Sequence, residues 1–242
     1  MTFRIPAVAW LGVALALGIM PVTVARAQLA TISVRTNVLG REIPRNFVGL
    51  SLEVSESGQG LHPLHKNQLG RAPLLNEQPQ YALGRPGAPN QGLFQFMRDL
   101  GPGILRLGGN SQDNSCWDPK QAPYPSWCQA TLNAADLKLF STAAESTGWR
   151  LILGINLKQN SAAWALREVT QGTAGEIAPG QLLGLEIGNE PDLFRGGGRP
   201  ATYSPEDHAR DFLNYVEAFH KNPVARKYAL VGPATSGYLS MA

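Results

Sequence analysis

The stretch LEIGNEPD, Leu185 to Asp192, ends an apolar run in Gly, Asn and a glutamate that a proline follows at once. A strand built only for packing gains nothing from a carboxylate at its end. Glu190 therefore carries the first chemical reading of the chain, set against the plainer one of a polar turn. A carboxylic acid so placed can protonate a leaving oxygen, and the amide of Asn189 beside it can hold a sugar 2-hydroxyl. Together they make half of what glycoside hydrolysis needs: a general acid and, in retaining enzymes, a second carboxylate roughly 5–5.5 Å away as nucleophile. Other chemistries have less support. The chain holds no Gly-x-Ser-x-Gly elbow, no His-Glu-x-x-His and no phosphate loop. RGGGR, Arg195 to Arg199, lacks the Lys-Ser or Lys-Thr of such a loop and reads as a mobile segment, with approach of its arginines to an anionic ligand as the alternative. His62 and His65 fall in an irregular stretch and read as surface residues.

A residue at a strand end works only if the strand is held, and apolar runs alternate with helical periodicity along the chain. Strands are expected at Phe47–Val54, Gly103–Gly109, Trp149–Leu157, Leu182–Asn189 and Tyr228–Thr235. Between them, Leu93, Phe96, Met97 and Leu100 share a helical face. Asn133 caps a helix carrying Leu137, Phe140 and Ala144 that stops at Gly148, and a short helix starts at Ser161. Ser204 and Pro205 open a helix with Phe212, Tyr215, Val216 and Phe219 at helical spacing. Ser55–Gln91, rich in Gly, Pro, Asn and Gln, reads as an extended loop.

Near-continuous apolar strands alternating with helices argue for parallel βα units. In such folds the ends of the strands share one rim, where sites are built. The rim would collect Glu53, Asn110, Ser111, Asn156, Asn189 and Glu190. Strict alternation along the fourth strand puts Glu186, Gly188 and Glu190 on one face, and Leu185, Ile187 and Asn189 on the other. The same logic turns Arg106 inward as partner to Glu186 or to another interior carboxylate. An internal ion pair and a catalytic role are both open for that pair.

Arg4 and the apolar run Ala7–Met20, followed by Ala25-Arg26-Ala27, read as a signal peptide over residues 1–27, cleaved before Gln28. An uncleaved anchor is the alternative. The mature chain, residues 28–242, would be exported to the periplasm or the extracellular space, with no membrane contact after cleavage. It would lose two of its three net positive charges, and it has no basic block, so nucleic acid is not an expected partner. In an oxidising compartment Cys116 and Cys128, the two cysteines, are expected to bridge, which stabilises by roughly 3 kcal/mol in the chain-entropy picture. No His or further Cys lies nearby at ligand spacing, so no metal site is expected.

LEIGNEPD, taken with LRLGGNSQD (Leu105–Asp113) and FVGLSLEV (Phe47–Val54), resembles glycoside hydrolase family 79, which includes β-glucuronidases and heparanase-like enzymes. The likeness runs in order from about Ile43 to Tyr238. It implies a (β/α)8 TIM-type barrel followed by a β-sandwich, a retaining mechanism with no metal or organic cofactor, and a carbohydrate partner, often a uronic-acid glycoside. Glu190 matches the family's acid/base and Asn189 its companion, with Glu53, Asn110, Ser111 and Asn156 as substrate-binding positions. The family's nucleophile is a glutamate ending the seventh strand. The expected strands amount to about the first five βα units, an incomplete barrel with neither nucleophile nor sandwich. The expectation is thus the N-terminal part of a retaining β-glycosidase, inactive by itself. Two alternatives stay open: a non-catalytic or vestigial carbohydrate-binding chain, and a small enzyme that borrows its second carboxylate within an oligomer.

Overall fold

A computed structural model describes residues 40–54, 83–117, 125–128, 130–159 and 161–237. The expected signal segment 1–27, His62, His65 and the expected loop as far as residue 82 lie outside the described residues. The chain divides into two units between Ile43 and Pro44, and the elements below belong to the second.

Strand β1 (Val48–Glu53) is followed by a hairpin of β2 (Gly84–Arg85) and β3 (Ala88–Pro89) at the end of the expected loop. Then come helix α1 (Gln91–Asp99), β4 (Gly103–Gly108), the short parallel pair β5 (Ser115–Trp117) and β6 (Ala130–Leu132), and α2 (Ala134–Thr147). Strand β7 (Arg150–Ile155), α3 (Ala162–Arg167) and α4 (Ala174–Glu176) precede β8 (Leu182–Ile187), α5 (Pro205–Lys221) and β9 (Leu230–Val231). The main sheet has the order β1-β4-β7-β8-β9, and all its pairings are parallel. This is an α/β fold consistent with part of a TIM-like arrangement.

The helices start where local chemistry says they should. Asn133 and Ser204 each accept the third backbone N–H of their helix, while Asp136 and Asp207 reach back to the cap N–H, closing two capping boxes. Gly148 ends α2 at φ 74°, the left-handed turn that costs a glycine nothing. One face of the sheet is sealed by helices: Leu105, Leu107, Leu151, Leu153, Leu185 and Ile187 are fully buried with Leu137, Phe140, Tyr215 and Phe219. The other face carries Ser51, Arg106 and Glu186. Burying one such aliphatic side chain is worth roughly 1.5–3 kcal/mol, so this two-layer core fixes the strand ends relative to one another.

Two expectations need correction. In α1 the buried face runs through Phe94 and Met97, while Phe96 and Leu100 are 52% and 40% exposed. The apolar stripe keeps Leu93 and Met97 of the expected face and takes Phe94 in place of Phe96 and Leu100. The helix from Ser161 also does not end with its first two turns. It continues through a π-helical segment, Glu168–Thr173, into α4.

Candidate functional site

The rim is built first by glycine. After β4 the chain turns at Gly109, φ 80°, where a Cβ would lie 2.3 Å from a carboxylate oxygen of Glu53. That empty space lets the end of β1 reach the turn: the backbone N–H groups of Asn110 (3.0 Å) and Ser111 (2.8 Å) and the Ser111 hydroxyl (2.7 Å) all donate to Glu53. Three donors on one carboxylate make a clamp between β1 and β4.

Arg106 links this end to β8. Its Nε donates to both oxygens of Glu186 (3.1 and 2.9 Å), and Nη2 donates to Glu186 (2.5 Å) and to Asn189 Oδ1 (2.9 Å). Nη1 donates to the Ser51 hydroxyl at 3.0 Å. The hydrogen bond that Arg106 donates to Glu186 leads the causes that push the guanidinium further up, with burial opposing it. Asn189 in turn donates from Nδ2 to Asn110 Oδ1 at 3.1 Å. Glu186, Arg106, Asn189 and Asn110 thus form one continuous polar chain across the sheet.

Strict alternation would have sent Asn189 to the helix side, away from Glu186. Gly188 prevents this: at φ 80° it breaks the strand phase, in a spot where a Cβ would press 2.8 Å from Leu157. Asn189 therefore joins the side of Arg106. Glu190 follows in the left-handed region, φ 47° and ψ 54°, as the one non-glycine residue at positive φ among the described residues. Such a backbone is strained for glutamate, by about 1–3 kcal/mol. Its N–H donates to Ala234 O at 2.7 Å, and Asp192 accepts the backbone N–H of Ser236 at 3.0 Å, so β8 and the chain after β9 are stitched together. The Glu190 side chain is half-buried and makes no hydrogen bond among the described residues, although its charge is felt by Arg106.

Asn156 stands apart from this chain of polar groups. Its Nδ2 donates to the Ser115 carbonyl (3.2 Å), and its Oδ1 accepts from Gln159 N–H (3.1 Å). It shares a recess of about 10 Å³ with Trp117, Trp127, Trp164 and Glu168, room for no more than one water. Cys116 and Cys128, bridged with a Cα–Cα distance of 5.7 Å, hold the edge of that recess. Nor does RGGGR hang loose: Arg195 donates to Tyr203 O (3.0 Å), and Arg199 pairs with Asp211 (3.0 Å) and donates to Leu157 O (3.0 Å). The larger cavity beside it, about 370 Å³, shares no residue with the rim, and its arginines are paired with Asp211 and Asp207.

Two carboxyls that the sequence reading did not single out are buried here. Asp113 holds the ends of β7 and β8, and burial pushes it up to about 7 against three backbone hydrogen bonds. Its signal was its place in LRLGGNSQD, four residues past Gly109. Glu168, in the π-helical segment, is pushed up to about 8 by burial alone, and nothing in its sequence neighbourhood announced it. Among the described residues no cluster of three or more His, Cys, Asp or Glu could hold a metal ion, and no helix is long and apolar enough to cross a membrane.

No family model matches the chain. In an alignment of 158 residues that covers 59% of this chain, it is 28% identical to a β-glucuronidase of Aspergillus niger, and it spans 29% of that relative. Among solved structures it overlaps a 4-O-α-L-rhamnosyl-β-D-glucuronidase from Fusarium oxysporum 12S, in complex with Rha-GlcA. There the identity is 18% and the TM-score 0.43, covering 60% of this chain and 33% of that one. The sequence similarity is therefore to a glycoside hydrolase, over a part of each protein.

Proposed function

We propose that this chain is the N-terminal part of a retaining β-glycosidase of the family 79 type, acting on β-glucuronides, with Glu190 as general acid/base. The observation that carries this reading is the contrast between Glu190 and its neighbours: a strained rim carboxylate with no hydrogen-bond partner among the described residues, beside an asparagine oriented from both sides. Asn189 gives one N–H to Asn110 and accepts from Arg106, which leaves its second N–H for the sugar 2-hydroxyl. Glu53 and Glu186 are spent on hydrogen bonds, so neither is assigned as nucleophile. In this reading the nucleophile comes from a strand outside the five described. No cofactor takes part. The chain is read as exported after loss of residues 1–27, and its partner is a carbohydrate.

One observation favours a second reading, a non-catalytic carbohydrate-binding chain: among the described residues only one rim carboxylate is uncommitted to hydrogen bonds. A turnover assay separates the two. The 242-residue chain is expected to cleave p-nitrophenyl β-D-glucuronide no faster than its Glu190→Gln variant. A version extended with the missing strands and sandwich of a family 79 enzyme should turn over, and Glu190→Gln should lower that rate 10²- to 10⁴-fold, the usual contribution of leaving-group protonation. An extended chain whose rate ignores Glu190→Gln refutes the acid/base role.

A further inference from the structure

Asp113 is the most deeply buried carboxylate at the rim, 3% exposed, in the 3-10 turn Gln112–Asn114 that follows β4. Its Oδ2 accepts the N–H of Asn189 at 3.2 Å, and its Oδ1 accepts those of Leu157 (3.3 Å) and Lys158 (3.4 Å). One side chain from the β4 turn thus holds the ends of both β7 and β8. We propose that Asp113 is a positioning residue for Glu190, acting through the Asn189 amide to keep Glu190 in its left-handed conformation. The proposal rests on Glu190 being the acid/base, but its mechanics do not.

The argument is one of restraint. A strained backbone persists only where its surroundings over-determine it. Three hydrogen bonds fix the backbone at Glu190: the Asn189 N–H on Asp113, the Glu190 N–H on Ala234 O, and the Leu193 N–H on the Glu190 carbonyl. A residue before proline otherwise prefers extended backbone. With the Asp113 bond gone, Glu190 relaxes toward that region and its carboxyl leaves the place that the turn gives it. The clamp also has a natural weak point. An ionised Asp113 offers acceptors to all three N–H groups, whereas a protonated one turns an oxygen into a donor facing them. Burial pushes Asp113 up to about 7, while the amide donors and the Lys158 charge favour the carboxylate. Tyr215, on α5, is the other titratable group that meets its field.

The test uses the ¹⁵N-labelled 242-residue chain and its Asp113→Asn variant. In the parent, the amide resonances of Asn189, Leu157 and Lys158 should move together between pH 5 and 8 with one midpoint near 7. In Asp113→Asn that shared titration should vanish. Hydrogen exchange at Glu190, Asp192 and Leu193 should quicken at least tenfold there, while Leu105 and Leu107 in β4 stay within twofold. Unchanged exchange at Glu190, or a loss spread equally over β4, overturns the proposal. If the variant does not fold, the parent alone decides: three amides that titrate independently overturn it, and a common midpoint supports it. None of these readouts needs turnover, so an inert Glu190 would sink the glycosidase reading and leave the clamp to be judged by itself.

Discussion

Strands β1 and β8 both deliver a glutamate to the same end of a parallel sheet, Glu53 and Glu190, and the chain treats the two in opposite ways. Around Glu53 a glycine opens a gap, and three donors fill it with hydrogen bonds. Around Glu190 a glycine breaks the strand, a strained backbone follows, and the carboxyl has no hydrogen bond among the described residues. Residue type and position on the rim are shared, so neither tells architecture from chemistry. What does is the fate of the acceptor sites: those of Glu53 are used to join two strands, and those of Glu190 remain to be used. Arg106 stands between the ends, with Ser51 on one side and Glu186 and Asn189 on the other.

The largest effect should come from cutting that link. Arg106→Leu leaves Glu186, whose side chain is 10% exposed, buried without its cation. Breaking a buried pair from one side costs about 3–5 kcal/mol, and urea unfolding of the variant should show it. A loss under 1 kcal/mol would mean that the two ends are held independently, and the comparison between them would lose its common frame.

Glu168 supplies a third kind of carboxyl, one whose shift burial alone causes, and it should show as a pH effect. Burial raises it from an ordinary 4.5 to about 8 in the folded chain. Between those values the unfolded chain has lost this proton while the folded chain keeps it, so stability falls as pH rises. Its contribution is fully present below about 4.5 and is lost as pH rises through about 8, at roughly 1.4 kcal/mol per pH unit. Between pH 6 and 7.5 the parent should thus lose about 2 kcal/mol that Glu168→Gln does not lose. Parallel slopes in urea unfolding at those two pH values would refute the assignment.

What the sequence showed of all this was what local chemistry decides. Apolar runs bounded by glycine placed β4, β7 and β8 to within a residue or two, and Asn133, Gly148 and Ser204 marked helix ends because a cap is a contact between near neighbours. Arg106 and Glu186 were found as a pair because alternation holds inside a strand. It failed one residue past the strand, at the positive φ of Gly188, where Leu157 beyond the end of β7 leaves no room for a Cβ and is a neighbour distant in sequence. Asp113 was missed for the same reason, since its partners are backbone groups 44 and 76 residues away. The rim composition was legible, and the division of labour within it was not.

A finer test of that division replaces the clamped carboxylate. Glu53→Gln keeps one acceptor oxygen but loses the charge and points an NH₂ at donors of the β4 turn. Hydrogen bonds to a charged group are the stronger ones, and a donor left facing a donor adds to the loss, so about 1–2 kcal/mol should go. A loss near zero would place Glu53 with Glu190, as a residue whose acceptors serve something other than the fold.

The smallest effect is the most telling because its sign should be opposite. Asparagine tolerates the left-handed region that glutamate resists. Replacing Glu190 by Asn therefore relieves backbone strain without removing any side-chain hydrogen bond made among the described residues. Against this stands the lost attraction between Glu190 and Arg106, which acts through partly exposed surroundings and is small. The balance should be a gain of about 0.5–1 kcal/mol in urea unfolding, the reverse of Glu53→Gln under the same conditions. A residue whose replacement stabilises the fold is held in place at the expense of stability, as expected of a group kept for chemistry. If Glu190→Asn instead destabilises the chain as much as Glu53→Gln does, the two strand ends are doing the same structural work, and the case for Glu190 as the acid loses its physical basis.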